Sequence, residues 1–173
     1  MKANNITGLW LYNCPANYKL IRRLLMLEII THFFSRHIEI STLDDNNDEK
    51  IRVDSAALLM EMLHAEADCA QEKQHLVMIL LENRFNLSEQ QALELMAIAE
   101  QKRIHATDYF EFTHLINESF TREQKIQLIE ALWKIAFLDN HLEFDEEYLI
   151  DKVARLLIIP HIEVLKAKNR VNG

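Results

Sequence analysis

No glycine or proline interrupts the chain between Pro15 and Pro160, and the whole sequence holds only two of each. Tight β-hairpins need positive φ and usually take it from glycine, so a long stretch without glycine leaves few ways to join short strands. Helices joined by polar connections are the remaining solution, and an all-α fold is expected. Hydrophobic residues make up 49% of the chain and charged residues 27%, which suits a packed globular core. At 173 residues there is room for one domain with a short appendage.

Apolar periodicity divides the chain into three parts. Residues 1–40 hold an irregular leader rich in asparagine and then an amphipathic stretch from Tyr18 to Arg36, where Leu20, Leu24, Leu27, Ile30 and Phe34 recur at spacings of three and four. Residues 41–51, acidic and without pattern, are expected to form a linker. Residues 52–173 carry seven helical patterns: Val53 to Glu66, Ala70 to Arg84, Glu89 to Lys102, Asp108 to Ser119, Arg122 to Leu138, Asp145 to Leu157, and one after Pro160. Ser88 with Gln91 and Thr121 with Gln124 form capping boxes at two of these starts. Pro160 suits the first turn of the last helix, where its missing N–H costs nothing. The expected architecture is a compact bundle of about seven helices plus an amino-terminal amphipathic helix.

The formal charge of −8 is unevenly spread. Residues 1–40 carry Lys2, Lys19, Arg22, Arg23 and Arg36 against Glu28 and Glu39, which leaves the remainder at −11. Such a body repels a polyphosphate backbone, so nucleic acid is not an expected partner. No segment reaches the roughly 18 uninterrupted apolar residues of a membrane span, and no secretory signal is evident, so the cytoplasm is the expected address. Cys14 and Cys69 suggest neither a disulfide framework nor a zinc knuckle. Met26 offers a second plausible start within the amphipathic stretch.

Five carboxylates, Asp139, Glu143, Asp145, Glu146 and Glu147, crowd into nine residues between two apolar helical patterns. Leu59-Met60-Glu61-Met62-Leu63-His64-Ala65-Glu66 can be laid over Leu132-Trp133-Lys134-Ile135-Ala136-Phe137-Leu138-Asp139, each an apolar helix end closing on a carboxylate. A second, weaker acidic turn with Glu66, Asp68 and Glu72 follows the first of them. Two copies of helix, acidic turn and helix suggest a pseudo-symmetric pair.

An apolar helix ending in Asp139, with Leu142 three residues on and Glu146 seven on, resembles the TerB-like family, the domain of the tellurite-resistance protein that is also similar to the amino-terminal domain of the co-chaperone DjlA. Asn140 stands where the family pattern has glycine. In the first copy Glu66 takes the place of the Asp and Cys69 that of the apolar residue, while the second acid comes one early as Glu72 or is replaced by Lys73. The resemblance spans roughly Val53 to Val171. It implies a helical domain of about seven helices with a paired acidic surface for divalent cations, in a stress-response protein rather than an enzyme.

Read from the residues alone, the acidic turn stays open between two roles. Asp139, Glu143, Asp145 and Glu146, with Glu66, Asp68 and Glu72, could offer oxygens to a calcium-like ion. An EF-hand is excluded, because counting from Asp139 puts Phe144 at the glycine position and Ile150 at the bidentate glutamate. Equally, Asp145, Glu146 and Glu147 suit a helix N-terminus, where each negative charge is favourable by ~0.3–1 kcal/mol. The eight histidines form no zinc spacing, no phosphate-binding glycine loop exists, and no nucleophile sits beside a base, so an enzyme is not expected. The basic segment from Lys19 to Arg36 suits either docking onto the bundle or an anionic membrane surface. Expected partners are accordingly another protein, in a membrane-associated complex or free, or a divalent cation.

Overall fold

A computed structural model describes residues 43–65 and 71–173. Among the described residues seven α-helices follow one another: α1 Leu43–Met62, α2 Gln71–Phe85, α3 Glu89–His105, α4 Phe110–Ser119, α5 Arg122–Ala136, α6 Phe144–Leu156 and α7 His161–Asn172. There is no strand among the described residues. The all-α bundle expected from the scarcity of glycine and proline is the observed fold. The amphipathic stretch Tyr18 to Arg36 and the leader before it lie outside the described residues.

One boundary differs. From Leu43 onward the acidic stretch read as a linker is helical and continuous with the rest of α1. Apolar periodicity reports burial rather than helicity, so a helical turn without a buried apolar face shows no pattern. The apolar face begins at Ile51, and from Ser55 to Met60 every residue of α1 is buried. A helix buried on all sides is central, and α1 packs against α3, α4 and α5, while α5 also packs against α6 and α7.

Helix ends follow from local chemistry. Ser88 and Thr121 cap α3 and α5: each hydroxyl accepts the N–H three residues on, and Gln91 and Gln124 accept the cap N–H in return. Pro160, expected inside the last helix, is instead its N-cap, with extended ψ of 141°. Asn86 and Ile158 end α2 and α6 in the left-handed region, with φ of 51° and 60°. Behind them Leu87 N–H bonds Glu82 C=O at 3.1 Å and Ile159 N–H bonds Ala154 C=O at 2.9 Å, the six-to-one closure of a Schellman motif. The core these ends enclose is built from Leu58, Leu59, Met62, Leu81, Phe112, Ile116, Leu128, Leu132 and Trp133, all essentially without solvent contact.

Candidate functional site

The turn between α5 and α6 is built by its own carboxylates. Buried Leu132, Trp133, Ile135 and Ala136 anchor the end of α5. Asn140 then takes φ of 59°, the left-handed conformation that glycine or asparagine supplies at least cost. Asp139 Oδ1 accepts the His141 N–H at 2.9 Å, and Leu142 folds back onto the core. Glu146, three residues into the cap of α6, accepts the Glu143 N–H on Oε2 at 3.1 Å, satisfying a donor the helix start leaves orphaned.

The remaining oxygens of these two acids face a lysine. Lys73, in the first turn of α2, is 2% exposed, and its Nζ lies 2.9 Å from Asp139 Oδ2 and 3.0 Å from Glu146 Oε1. Glu146 has no solvent exposure at all. A carboxylate in that position demands a nearby cation, because taking an unpaired charge out of water costs several kcal/mol, on the order of what a whole domain has in hand. Burial opposes ionisation of Asp139, but hydrogen bonds from Lys73 and the His141 N–H outweigh it and hold its pKa below the usual aspartate value.

The other sequence-predicted residues are placed apart from this pair. Glu143 is exposed, and its Oε1 is 2.9 Å from His141 Nε2. Asp145 is exposed on the first turn of α6. Glu147 turns to Lys168 on α7, at 2.6 Å, and that ammonium lies 4.7 Å over the Trp133 ring. Glu72 is exposed at the start of α2, while Glu66 and Asp68 lie outside the described residues. Among the described residues no three His, Cys, Asp or Glu side chains are grouped to hold a metal ion. The central space between Asp139 and Glu146 holds an ammonium group, so these two acids do not fit a divalent cation while Lys73 stays where it is.

Lys73 is the residue whose role composition and charge density did not reveal. The repeat register carried the signal: Glu66 overlays Asp139, so Lys73 overlays Glu146. Positions equivalent in the two copies thus meet across the fold, one basic and one acidic.

A second charged cluster joins α1 to α3. Arg103 donates to Glu100 at 2.9 and 3.1 Å, His64 Nε2 lies 3.3 Å from Glu100, and Arg103 also approaches Glu61 at 3.6 Å. Burial pushes the Glu100 pKa up, but hydrogen bonds from His64 and Arg103 and the charge of Arg103 win, lowering it to about 2. The Tyr109 hydroxyl reaches Glu61 at 3.4 Å, and Lys152 on α6 lies 4.5 Å over the Tyr109 ring. Asp54, nearly inaccessible, is paired with Lys102.

Over residues 52–169 the sequence matches the family model described as Tellurite resistance protein TerB, a span that takes in Lys73 and the turn between α5 and α6. The chain belongs to the TerB family. Comparison with curated proteins and with solved structures gives no match. The TerB match begins within α1 and ends within α7, so the family domain and the described helical bundle nearly coincide. Among the described residues no helix of this TerB domain is long and apolar enough to cross a membrane.

Proposed function

We propose that this TerB-family chain is a non-enzymatic module that binds another protein through the outer face of α6. The observation that carries the reading is the pair Phe144 and Tyr148, 80% and 58% exposed, with ring centroids 6.5 Å apart and stacked one helical turn from each other. Two large aromatic side chains held together in solvent are the kind of anchor that protein interfaces use. Glu143 and Asp145, both exposed, flank Phe144. The partner is therefore a protein surface that offers an apolar pocket rimmed by Lys or Arg.

A non-enzymatic role is supported by the state of the acids. Asp139 and Glu146 have their oxygens engaged by backbone N–H groups and an ammonium, which leaves neither poised to exchange a proton with a substrate. The family description supports a part in tellurite resistance, and growth of a deletion strain on tellurite tests that phenotype.

Site-specific photo-crosslinking from position 148 in cells, followed by identification of the adduct, tests the interaction. A single predominant protein whose purified form binds the wild-type chain, binds less well at high salt, and fails to bind Phe144→Ser/Tyr148→Ser supports the reading. Equal binding to that double variant would remove the face of α6 from the interface.

A further inference from the structure

We infer that the Lys73 ammonium is the resident cation of the acidic turn: it fills the position between Asp139 and Glu146 that a divalent ion would otherwise have to fill, and it makes closure of this turn independent of metal. Three observations meet here. Lys73 and Glu146 occupy equivalent positions of the two helix, turn and helix copies. Both side chains are buried, and they lie 3.0 Å apart. Asp139, half-exposed, completes the ammonium's surroundings at 2.9 Å and ties the turn's own backbone through His141.

The chemistry explains why one fixed positive charge suffices. Asp139 and Glu146 each spend one oxygen on a backbone N–H and present the other toward the same point. A half-exposed and a fully buried carboxylate converging on one point repel each other unless a cation lies between them. An ammonium on a flexible stem meets that need with directional N–H donors and is delivered by the chain itself, whatever the ion concentration around it. An acidic residue at position 73 would reverse the situation. Three carboxylates would then converge, and only an ion that takes several oxygens, such as calcium, could hold them together.

Thermal melts in chelator and in millimolar calcium or magnesium, on the wild-type chain and on Lys73→Arg, Lys73→Gln and Lys73→Glu, test the inference. The wild type and Lys73→Arg are expected to melt at the same temperature with and without ion. Lys73→Glu is expected to lose stability in chelator and to regain it with calcium along a saturable curve. Should Lys73→Glu not fold in chelator, recovery of helical circular dichroism on adding calcium is the readout, and Lys73→Gln, with the repulsion unrelieved but not increased, should show a smaller shift of the same sign. Saturable stabilisation of the wild type by calcium or magnesium would overturn the inference. So would a Lys73→Gln protein as stable in chelator as the wild type, or failure of calcium to recover any stability in Lys73→Glu.

Discussion

Lys73 and Glu146 stand 73 residues apart in the chain and 3.0 Å apart in the fold, and 73 is also the offset that overlays the first helix, turn and helix unit on the second. The pair therefore joins α2 to α6 at corresponding places of the two units. Glu146 contributes twice, since its other oxygen caps the helix on which it sits.

Removing one member of such a pair should cost far more than a surface salt bridge. Lys73→Met takes the ammonium away from buried Glu146 and is expected to lower unfolding free energy by ~3–5 kcal/mol. Glu146→Gln keeps an acceptor for the Glu143 N–H and leaves Lys73 beside Asp139, so a smaller loss of ~1–3 kcal/mol is expected. Urea titrations of both variants measure the difference. In Lys73→Met the Asp139 carboxyl should also titrate higher than in the wild type, because the principal group that lowers its pKa is gone; carboxyl NMR reads this directly.

Glu100 should shape the acid limb of the stability curve. Its folded pKa of about 2 lies below the ordinary value of 4.5, so its contribution is fully present above pH 4.5 and is lost as pH falls toward 2. The size is on the order of 3 kcal/mol, at 1.36 kcal/mol per unit of difference. Glu100→Gln is expected to be less stable at neutral pH and to lose less on acidification through that window. Melting temperature against pH for the two proteins checks the sign, and parallel curves would dissociate Glu100 from the acid limb.

Ile158 is a β-branched residue at φ of 60° and 78% exposed. The left-handed region costs an L-residue ~1–2 kcal/mol, while little burial holds this side chain in place. Ile158→Gly is expected to stabilise the protein by ~0.5–1 kcal/mol after the entropy of glycine in the unfolded chain is subtracted. Asn86→Val, at the corresponding end of α2, should destabilise by a similar or larger amount. Chemical denaturation of the two variants would show the opposite signs.

Thr121 carries half of a capping box: its hydroxyl accepts the Gln124 N–H at 3.2 Å, and the Gln124 side chain accepts the Thr121 N–H at 2.8 Å. Thr121→Ala should cost about 1 kcal/mol. Thr121→Asp, which keeps an acceptor and adds a charge favourable to the helix start, should restore most of it.

Much of the fold was legible in the sequence because its signals are local. The scarcity of glycine and proline selected helices, and Ser88, Gln91, Thr121 and Gln124 marked two starts through bonds that span only three residues. The helical turns from Leu43 to Lys50 escaped because their sequence carries no apolar pattern to read. In the turn, the sequence singled out Asp139, Glu143 and Glu146 as principal acids; the structure brings Asp139 and Glu146 together and leaves Glu143 exposed beside His141. It did not reveal that Lys73 is their counter-ion, since a long-range pair is set by how helices pack and not by neighbours in the chain. Glu143 and Asp145 looked equivalent to Glu146 in a count of charges, yet only the residue three positions beyond the cap turns inward. The exposure of Phe144 and Tyr148 is not legible in the sequence, because an aromatic residue on a helix can face core or solvent and only the packing decides.

A double-mutant cycle on Lys73→Met and Glu146→Leu, followed by urea unfolding, tests most directly whether this buried pair organises the turn. The account predicts that the double variant is clearly more stable than the two single losses would sum to, with a coupling of ~2–3 kcal/mol. Lys73→Met takes the ammonium from buried Glu146 and Glu146→Leu takes one of two carboxylates from buried Lys73, whereas the double change removes both buried charges of the pair. Single losses that add to within ~0.5 kcal/mol would contradict it, showing that the two side chains do not depend on each other.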